Sequence, residues 1–365
     1  MPPSTLRSAP IDLSESEKTM TDTQQASGAP ATRRRSGSRF EGFGEKAGLP
    51  IFLVVLIVFF SVLPATSSTF PTAANFSNIL SNQSVTGLIA LGMIIPLIAG
   101  YFDLSVAAIA GLSSVATAAL VNSYNFPIWA AALSGILIGV FAGVVNGVLV
   151  GVMRLNPFIT TFGTYIVIGG LLQVYTKGQT IGLPVEMAQW ASEKFLGLPR
   201  VFWVLIVIAL IVWYVLMQTP FGRSLAAIGS NENGARLAGI RVDRAIFVSF
   251  MASGLLAGFA GALLTMRMGG ADATTAAGYL FPALAAVFLG QTAIQPGQYN
   301  VWGTILGVFL VAVAVAGFTL MGADSWIQAL FNGLALLVSV AVSTYMARAR
   351  DRRAREALIA AGRAS

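Results

Sequence analysis

Apolar runs of membrane length, separated by short polar joints, fill this chain from Leu49 to Met346. Several approach the ~20 residues that carry a helix across a bilayer. We read crossings at Leu49–Leu63, Phe76–Ala99, Leu104–Val121, Ile128–Met153 and Pro157–Tyr175. A polar loop follows, and then Val201–Met217, Ala245–Thr265, Gly278–Gln291, Val301–Met321 and Ser325–Met346. The pattern predicts an all-α polytopic protein of about ten transmembrane helices. Pro64 ends the first run, and Pro96 and Gly100 break the stretch Phe76–Val121. The run Gly278–Gln291 is short. Broken and short helices are tolerated in a bilayer where their backbone is buried in protein or lines a cavity.

One polar island, QTPFGRSLAAIGSNENGARLAGIRVDR from Gln218 to Arg244, separates two of these runs. Its four arginines, Arg223, Arg236, Arg241 and Arg244, place it in the cytoplasm by the positive-inside rule. Within it Ser230, Asn231 and Glu232 can start a helix, because Ser or Asn accepts from free backbone N–H groups and Glu suits the positive end. Ala235, Leu237, Ala238 and Ile240 give that helix an apolar side, and Gly239 can end it. Such an element is either a docking helix or a solvated basic loop.

A glycine ladder marks the fourth run: Gly135, Gly139, Gly143, Gly147 and Gly151, each four residues apart. All five fall on one helix face and admit a neighbouring backbone closely. Asn146 lies beside the ladder and can bond across the contact. Gly254, Gly258 and Gly261 repeat the theme, as do Gly303 and Gly307. The ladder predicts a compact Gly-rich bundle, and does not say what crosses it. Segments 76–175 and 245–346 echo each other faintly, in the manner of an inverted repeat.

Composition agrees with this reading: 56% of residues are hydrophobic and 10% are charged, against roughly 25% charged in soluble domains. With ten crossings, Lys177, Lys194, Arg200 and Arg267 fall outside and the other basic residues inside, so both termini are expected in the cytoplasm. The net charge of +7 comes from these cytoplasmic ends, and no nucleic-acid partner is expected. Residues 1–48, rich in Ser, Thr, Ala, Pro and Gly, read as a disordered cytoplasmic tail, with Met20 as a possible start. The membrane domain is 49–346, its cytoplasmic loop 218–244. Residues 347–365 read as a basic cytoplasmic tail.

The chain has no Cys and no His, and no GxxxxGK[ST] loop, so it is not expected to hydrolyse ATP or to act as an enzyme. No metal site is expected, and no cofactor bound by this chain. Asp103 is the main acid within the apolar region; it can cap the helix that follows or touch a solute. Asn82, Gln83, Asn156, Phe158, Thr161 and Gln291 are further candidates for a translocation pathway. Their amides and hydroxyls equally suit helix–helix hydrogen bonds, and Asn156-Pro157 is first a structural turn. A proton-coupled carrier would need more buried acids or a His, so transport would be passive or driven by a separate ATPase.

The island FGRSLAAIGSNENGARLAGIRVDR resembles the cytoplasmic coupling segment of ABC-transporter permeases of the ribose, arabinose and xylose type. Three further stretches resemble the same family in the same order: AGYFDLSVAAIAGLSS, LNPFITTFGTYIVIGGLLQVYTKGQTI and VFLGQTAIQPGQYNVWGTILGV. The resemblance covers roughly Asn75 to Val342. Tyr101-Phe102 replaces a small or apolar pair before the Asp, and Gly290-Gln291 and Gln295-Pro296-Gly297 replace double glycines. The resemblance implies the permease subunit of a bacterial importer for a monosaccharide or related polyol, in the inner (plasma) membrane. It implies an ATPase subunit that holds ATP and Mg, an extracytoplasmic sugar-binding protein, and a second permease copy or paralogue. Ser230 to Ile240 would be the ATPase-coupling helix, with Glu232 and Arg236 in polar contact and Leu237 and Ile240 as apolar anchors. A stand-alone secondary carrier or facilitator for a small polar solute is the alternative, and a scaffold without transport a third reading.

Overall fold

The computed structural model describes residues 39–324, 326–341 and 345. The expected Met20 start and the basic tail 347–365 lie outside them. Helix α1 spans Arg39–Val62, so the tail expected through Gly48 gives way to helix sooner. It is followed by α2 (Ala73–Ile98), α3 (Val106–Tyr124), α4 (Ile128–Gly147) and α5 (Pro157–Thr176). Then come the short α6 (Val185–Ser192), α7 (Arg200–Gln218), α8 (Pro220–Ser230) and α9 (Glu232–Leu237). The chain continues through α10 (Val242–Met268), α11 (Leu280–Gly290), α12 (Val301–Leu320) and α13 (Trp326–Ala341). Sheet among the described residues is limited to two antiparallel pairs of two residues, Ile181–Gly182 with Gly270–Ala271 and Lys194–Phe195 with Leu198–Pro199.

Seven described helices are long and apolar enough to cross a membrane, where about ten were expected. They are α2, α3, α4 with a π turn at Val148–Val152, α5, α7, α10 and α12. The other three expected spans are present as shorter apolar helices: Ala47–Val62, Thr275–Gly290 and Trp326–Ala341. The reasons are local. Charged residues open α1, and a 3-10 turn at Thr275–Tyr279 forms the first part of the eighth run.

Burial separates an inner set from a rim. In the apolar window of α2, 78% of residues are buried, against 17% in α5. The centre is made by α2, α3, α4 and α10, with α11 and α12 packed against each other and against α2. The glycine ladder is what lets α4 meet α10. A Cβ on Gly139 would lie 2.6 Å from the Gly254 carbonyl oxygen, and one on Gly143 2.5 Å from that of Phe250. Gly147 and Gly151 face the Phe247 backbone, whereas Gly135 faces Ser113 and Thr117 of α3. On α10, Gly254 and Gly258 return the contact, and Gly261 admits the Ala110 carbonyl of α3. A second small core joins α1 to α12, with Phe60, Phe70 and Val313 buried together.

Candidate functional site

The polar island folds as two helices. The expected one is α9, capped by Asn231, whose Oδ1 accepts from Gly234 N at 2.9 Å. Its C-terminus is closed by Gly239 at φ +83°, and Ile240 N donates to Ala235 O at 3.0 Å. Ser230 belongs instead to the end of α8, a helix we did not anticipate. Helix α8 starts on Pro220 and buries Leu225 and Ile228. Gly222 and Gly229 have no room for a side chain: the first abuts the Leu216 carbonyl, the second the Ile98 carbonyl at the end of α2.

Glu232 and Arg236, expected to face a partner, are engaged within the chain. Arg236 Nη2 pairs with Glu232 Oε1 at 3.1 Å and with Asp243 Oδ1 at 2.6 Å. Asp243 Oδ2 also holds Arg154, from the joint between α4 and α5, at 2.8 Å. The Tyr101 hydroxyl donates to Glu232 Oε2 at 3.0 Å, which ties α9 to the break between α2 and α3. Burial, and then that hydrogen bond to Glu232, push the Tyr101 phenol up to about 12, so it remains a donor at physiological pH. Ala235 is buried, Ile240 is half-buried, and Leu237 is 91% exposed.

Asp103 sits in the same break, fully buried, and both of its oxygens are used. Oδ1 accepts from Ser105 N at 3.0 Å and from Ser105 Oγ at 2.5 Å; Oδ2 accepts from Ser253 Oγ of α10 at 2.7 Å. It thus closes the turn that leads into α3, whose N-cap is Ser105, and also binds across to α10. The network continues. Asn146 Nδ2 of α4 donates to Ser105 Oγ at 2.7 Å, and Thr164 Oγ1 of α5 donates to Asn146 Oδ1 at 2.8 Å. Thr161 Oγ1 accepts from Leu104 N at 3.2 Å and donates to Pro157 O at 2.8 Å. Four helices therefore meet through one buried polar chain, and buried polar groups of this kind hold position because losing a partner is costly.

The remaining pathway candidates do not converge. Asn82 and Gln83 line a cavity of about 470 Å³ beside Asn75, at the end of the bundle away from the polar island. Gln291 lines a second cavity, of about 490 Å³, with Arg223, Ser230 and Tyr299 at the island end. Asn156 caps α5, its Oδ1 accepting from Ile159 N at 3.2 Å, and Phe158 is exposed on α5 stacked against Phe162. Ser105, Ser253, Thr164 and Tyr101 were not singled out from the sequence as site residues. For Ser253 and Tyr101 the partner lies far away in the chain, 150 residues for Ser253 with Asp103 and 131 for Tyr101 with Glu232, and no local pattern announces those pairings.

A bundle of apolar helices, with a polar helical island packed on one end and polar cavities at both, defines a multi-pass membrane-transport subunit. The chain belongs to the family described as the permease component of branched-chain amino acid transport systems, which matches residues 75–340. It is 36% identical to the ribose import permease protein of Bacillus subtilis (strain 168), over 82% of this chain and 93% of that protein. It is 30% identical to the L-arabinose transport system permease protein of Escherichia coli (strain K12), over 89% of this chain and 97% of the relative. A probable ABC transporter permease of the same E. coli strain is 34% identical over 79% of this chain and 87% of its own length. No solved structure matches the chain. The resemblance drawn from the four ordered segments holds, and the chain is a permease subunit rather than an enzyme.

Proposed function

We propose that this chain is the membrane-spanning permease of a bacterial ABC importer for a monosaccharide or related polyol. The observation that carries the proposal is the double tie between the polar island and the membrane bundle. Gly229 of α8 presses on the end of α2, and Glu232 of α9 holds Tyr101 in the adjoining break. A push on α8 and α9 from the cytoplasm is thereby delivered to the joint that also contains Asp103. The pusher is a separate ATPase that holds ATP and Mg²⁺. Leu237, exposed at the end of α9, is the apolar anchor for it. Glu232 and Arg236 keep α9 in place from within.

The choice of a sugar rests on two supports. The relatives are named for ribose and L-arabinose. In addition, the outer cavity is lined by Asn and Gln side chains and Arg267, and by no Asp or Glu among the described residues. An amino acid would bring an ammonium group with nothing to neutralise it, whereas a hydroxylated solute is matched by amides. An extracytoplasmic binding protein would deliver the solute to that end. A second copy or paralogue would complete the pathway, and the exposed face of α5 is open to receive it.

The three shorter apolar helices cross together with the seven long ones, giving ten crossings in the cell membrane with both termini in the cytoplasm. An inverted repeat of 76–175 onto 245–346 is supported by packing: α3 contacts α4 and α10, just as α11 contacts α12 and α2. The test is affinity purification of the tagged protein from its native membrane, with partners identified by mass spectrometry. An ATPase should co-purify and should be lost when Gly234–Gly239 is replaced by a Gly-Ser linker. Recovery of this chain alone, with transport retained after reconstitution, would make it an autonomous carrier.

A further inference from the structure

The joint between α6 and α7 ends in a tight hairpin with a strained apolar tip. Lys194 pairs with Pro199, and Phe195 with Leu198. The turn between them is Leu196 at φ +50° and Gly197 at φ +80°. A hairpin turn with two positive φ values normally takes Asn or Asp at the first of them, because other side chains crowd the backbone there. Here a leucine takes it, and its side chain is 76% exposed. Burial within the chain therefore does not offset the strain.

The placement of the hairpin says what does. It folds back along the first turn of α7: Trp203 Nε1 donates to Phe195 O at 2.9 Å, and the two rings meet edge to face at 6.3 Å. Trp203 shares one helix face with Val207, Leu210, Ile211 and Tyr214, all four of which are exposed. Leu205, Ile208, Val212 and Leu216, on the other face, are buried. On a helix that crosses a membrane, an exposed apolar stripe is turned to lipid. A Trp near the end of that stripe sits at the depth where aromatic side chains gather at the membrane surface. The hairpin lies over this end of the stripe. Arg200, at its base, is paired with Glu193 at 2.6 Å and lies 5.9 Å over the Trp190 ring.

We infer that the Lys194–Pro199 hairpin is a membrane-surface anchor. Phe195 and Leu196 sit in the lipid leaflet at the end of α7 away from the polar island, at the boundary between headgroups and acyl chains. Apolar contact with lipid there offsets the backbone cost of Leu196. The other end of the same joint is held by Ile181–Gly182 on Gly270–Ala271, just after α10. Helix α6 is thus suspended between the end of α10 and the bilayer, with Ala188 over Gly269. The inference needs only that α7 crosses a membrane, and it holds for either sidedness of the chain and for any solute.

The experiment uses Leu196→Cys, a single cysteine in a chain that has none of its own, in the full protein in nanodiscs of phosphatidylcholine and phosphatidylglycerol. A thiol in apolar surroundings stays protonated, so a charged maleimide should modify it at least about tenfold more slowly than Thr274→Cys, which is exposed. With a nitroxide attached, power-saturation EPR should find it more accessible to oxygen than to a water-soluble nickel chelate, as at Val207→Cys and unlike Thr274→Cys. A second variant separates an anchor from a hairpin that merely lies beside lipid. Leu196→Asn suits the positive φ, so the turn is retained. A nitroxide at Lys194→Cys should then gain at least about twofold in accessibility to the nickel chelate as the hairpin lifts. Maleimide reaction at the Thr274→Cys rate, or greater nickel than oxygen accessibility at Leu196→Cys, would put the tip in water, free for a soluble partner, and overturn the inference. No change at Lys194→Cys on adding Leu196→Asn would overturn it as well.

Discussion

Glu232 answers two partners at once, Tyr101 through Oε2 and Arg236 through Oε1. The ion pairs of Arg236 are partly exposed, and pairs of that kind contribute about 0–1 kcal/mol each. The Tyr101 contact differs because it is the one that reaches into the break between α2 and α3. Tyr101→Phe removes the donor and leaves the ring. A hydrogen bond to a charged group is worth about 1.5–3 kcal/mol when sheltered, and this half-exposed one about 1 kcal/mol, or roughly fivefold. We expect solute uptake by the reconstituted importer to fall by about that factor, with ATPase co-purification and thermal midpoint little changed. Uptake equal to wild type would mean the contact transmits nothing. Tyr101 was visible in the sequence only as a departure from the family pattern, since its partner lies 131 residues away.

At the scale of the helix, the ladder on α4 makes the strongest demand on sequence. Gly143→Leu would drive a side chain into the Phe250 carbonyl and the Gly254 backbone. Neither can retreat without parting α4 from α10, and overpacking of this kind costs about 1–3 kcal/mol or more. We expect a lower thermal midpoint and reduced monodisperse yield in detergent. Gly163→Leu on α5 is the control, because a Cβ there meets nothing within 4 Å. A Gly143→Leu protein as stable as wild type would show that α4 and α10 do not touch there.

Much of this scale was legible beforehand. The bounds of α5 and α12 and the start of α4 follow from apolar run length, and α9 follows from Asn231 and Gly239 at its ends. Helix α8 was missed because Pro220, Gly222 and Ser224 read locally as loop chemistry. Its apolar positions Phe221, Leu225 and Ile228 do carry helical spacing, and Gly222 and Gly229 are there for close approach to other backbone. The chain Thr164–Asn146–Ser105–Asp103–Ser253 was not legible, because common polar residues become a network only once four helices are assembled.

For the whole molecule the decisive question is whether α11 crosses. Thr275–Gly290 holds 16 residues, which at about 1.5 Å each falls short of a ~30 Å hydrocarbon core. Its two ends nevertheless line cavities at opposite ends of the bundle. Thr275 and Tyr279 line the outer cavity with Asn75 and Arg267, whereas Gln291, Gln298 and Tyr299 line the cavity beside Ser230. A short helix can bridge that distance when its ends lie in polar recesses rather than in lipid. The absence of native cysteine makes the test direct. Single cysteines at the exposed positions Thr274 and Gln298 need no background removed. A membrane-impermeant maleimide applied to intact cells should label Thr274→Cys and spare Gln298→Cys until the membrane is opened. Leu237→Cys should behave as Gln298→Cys does. Labelling of both Thr274→Cys and Gln298→Cys from one side would confine α11 to a single face, break the correspondence between 76–175 and 245–346, and reverse the sidedness of everything after α11.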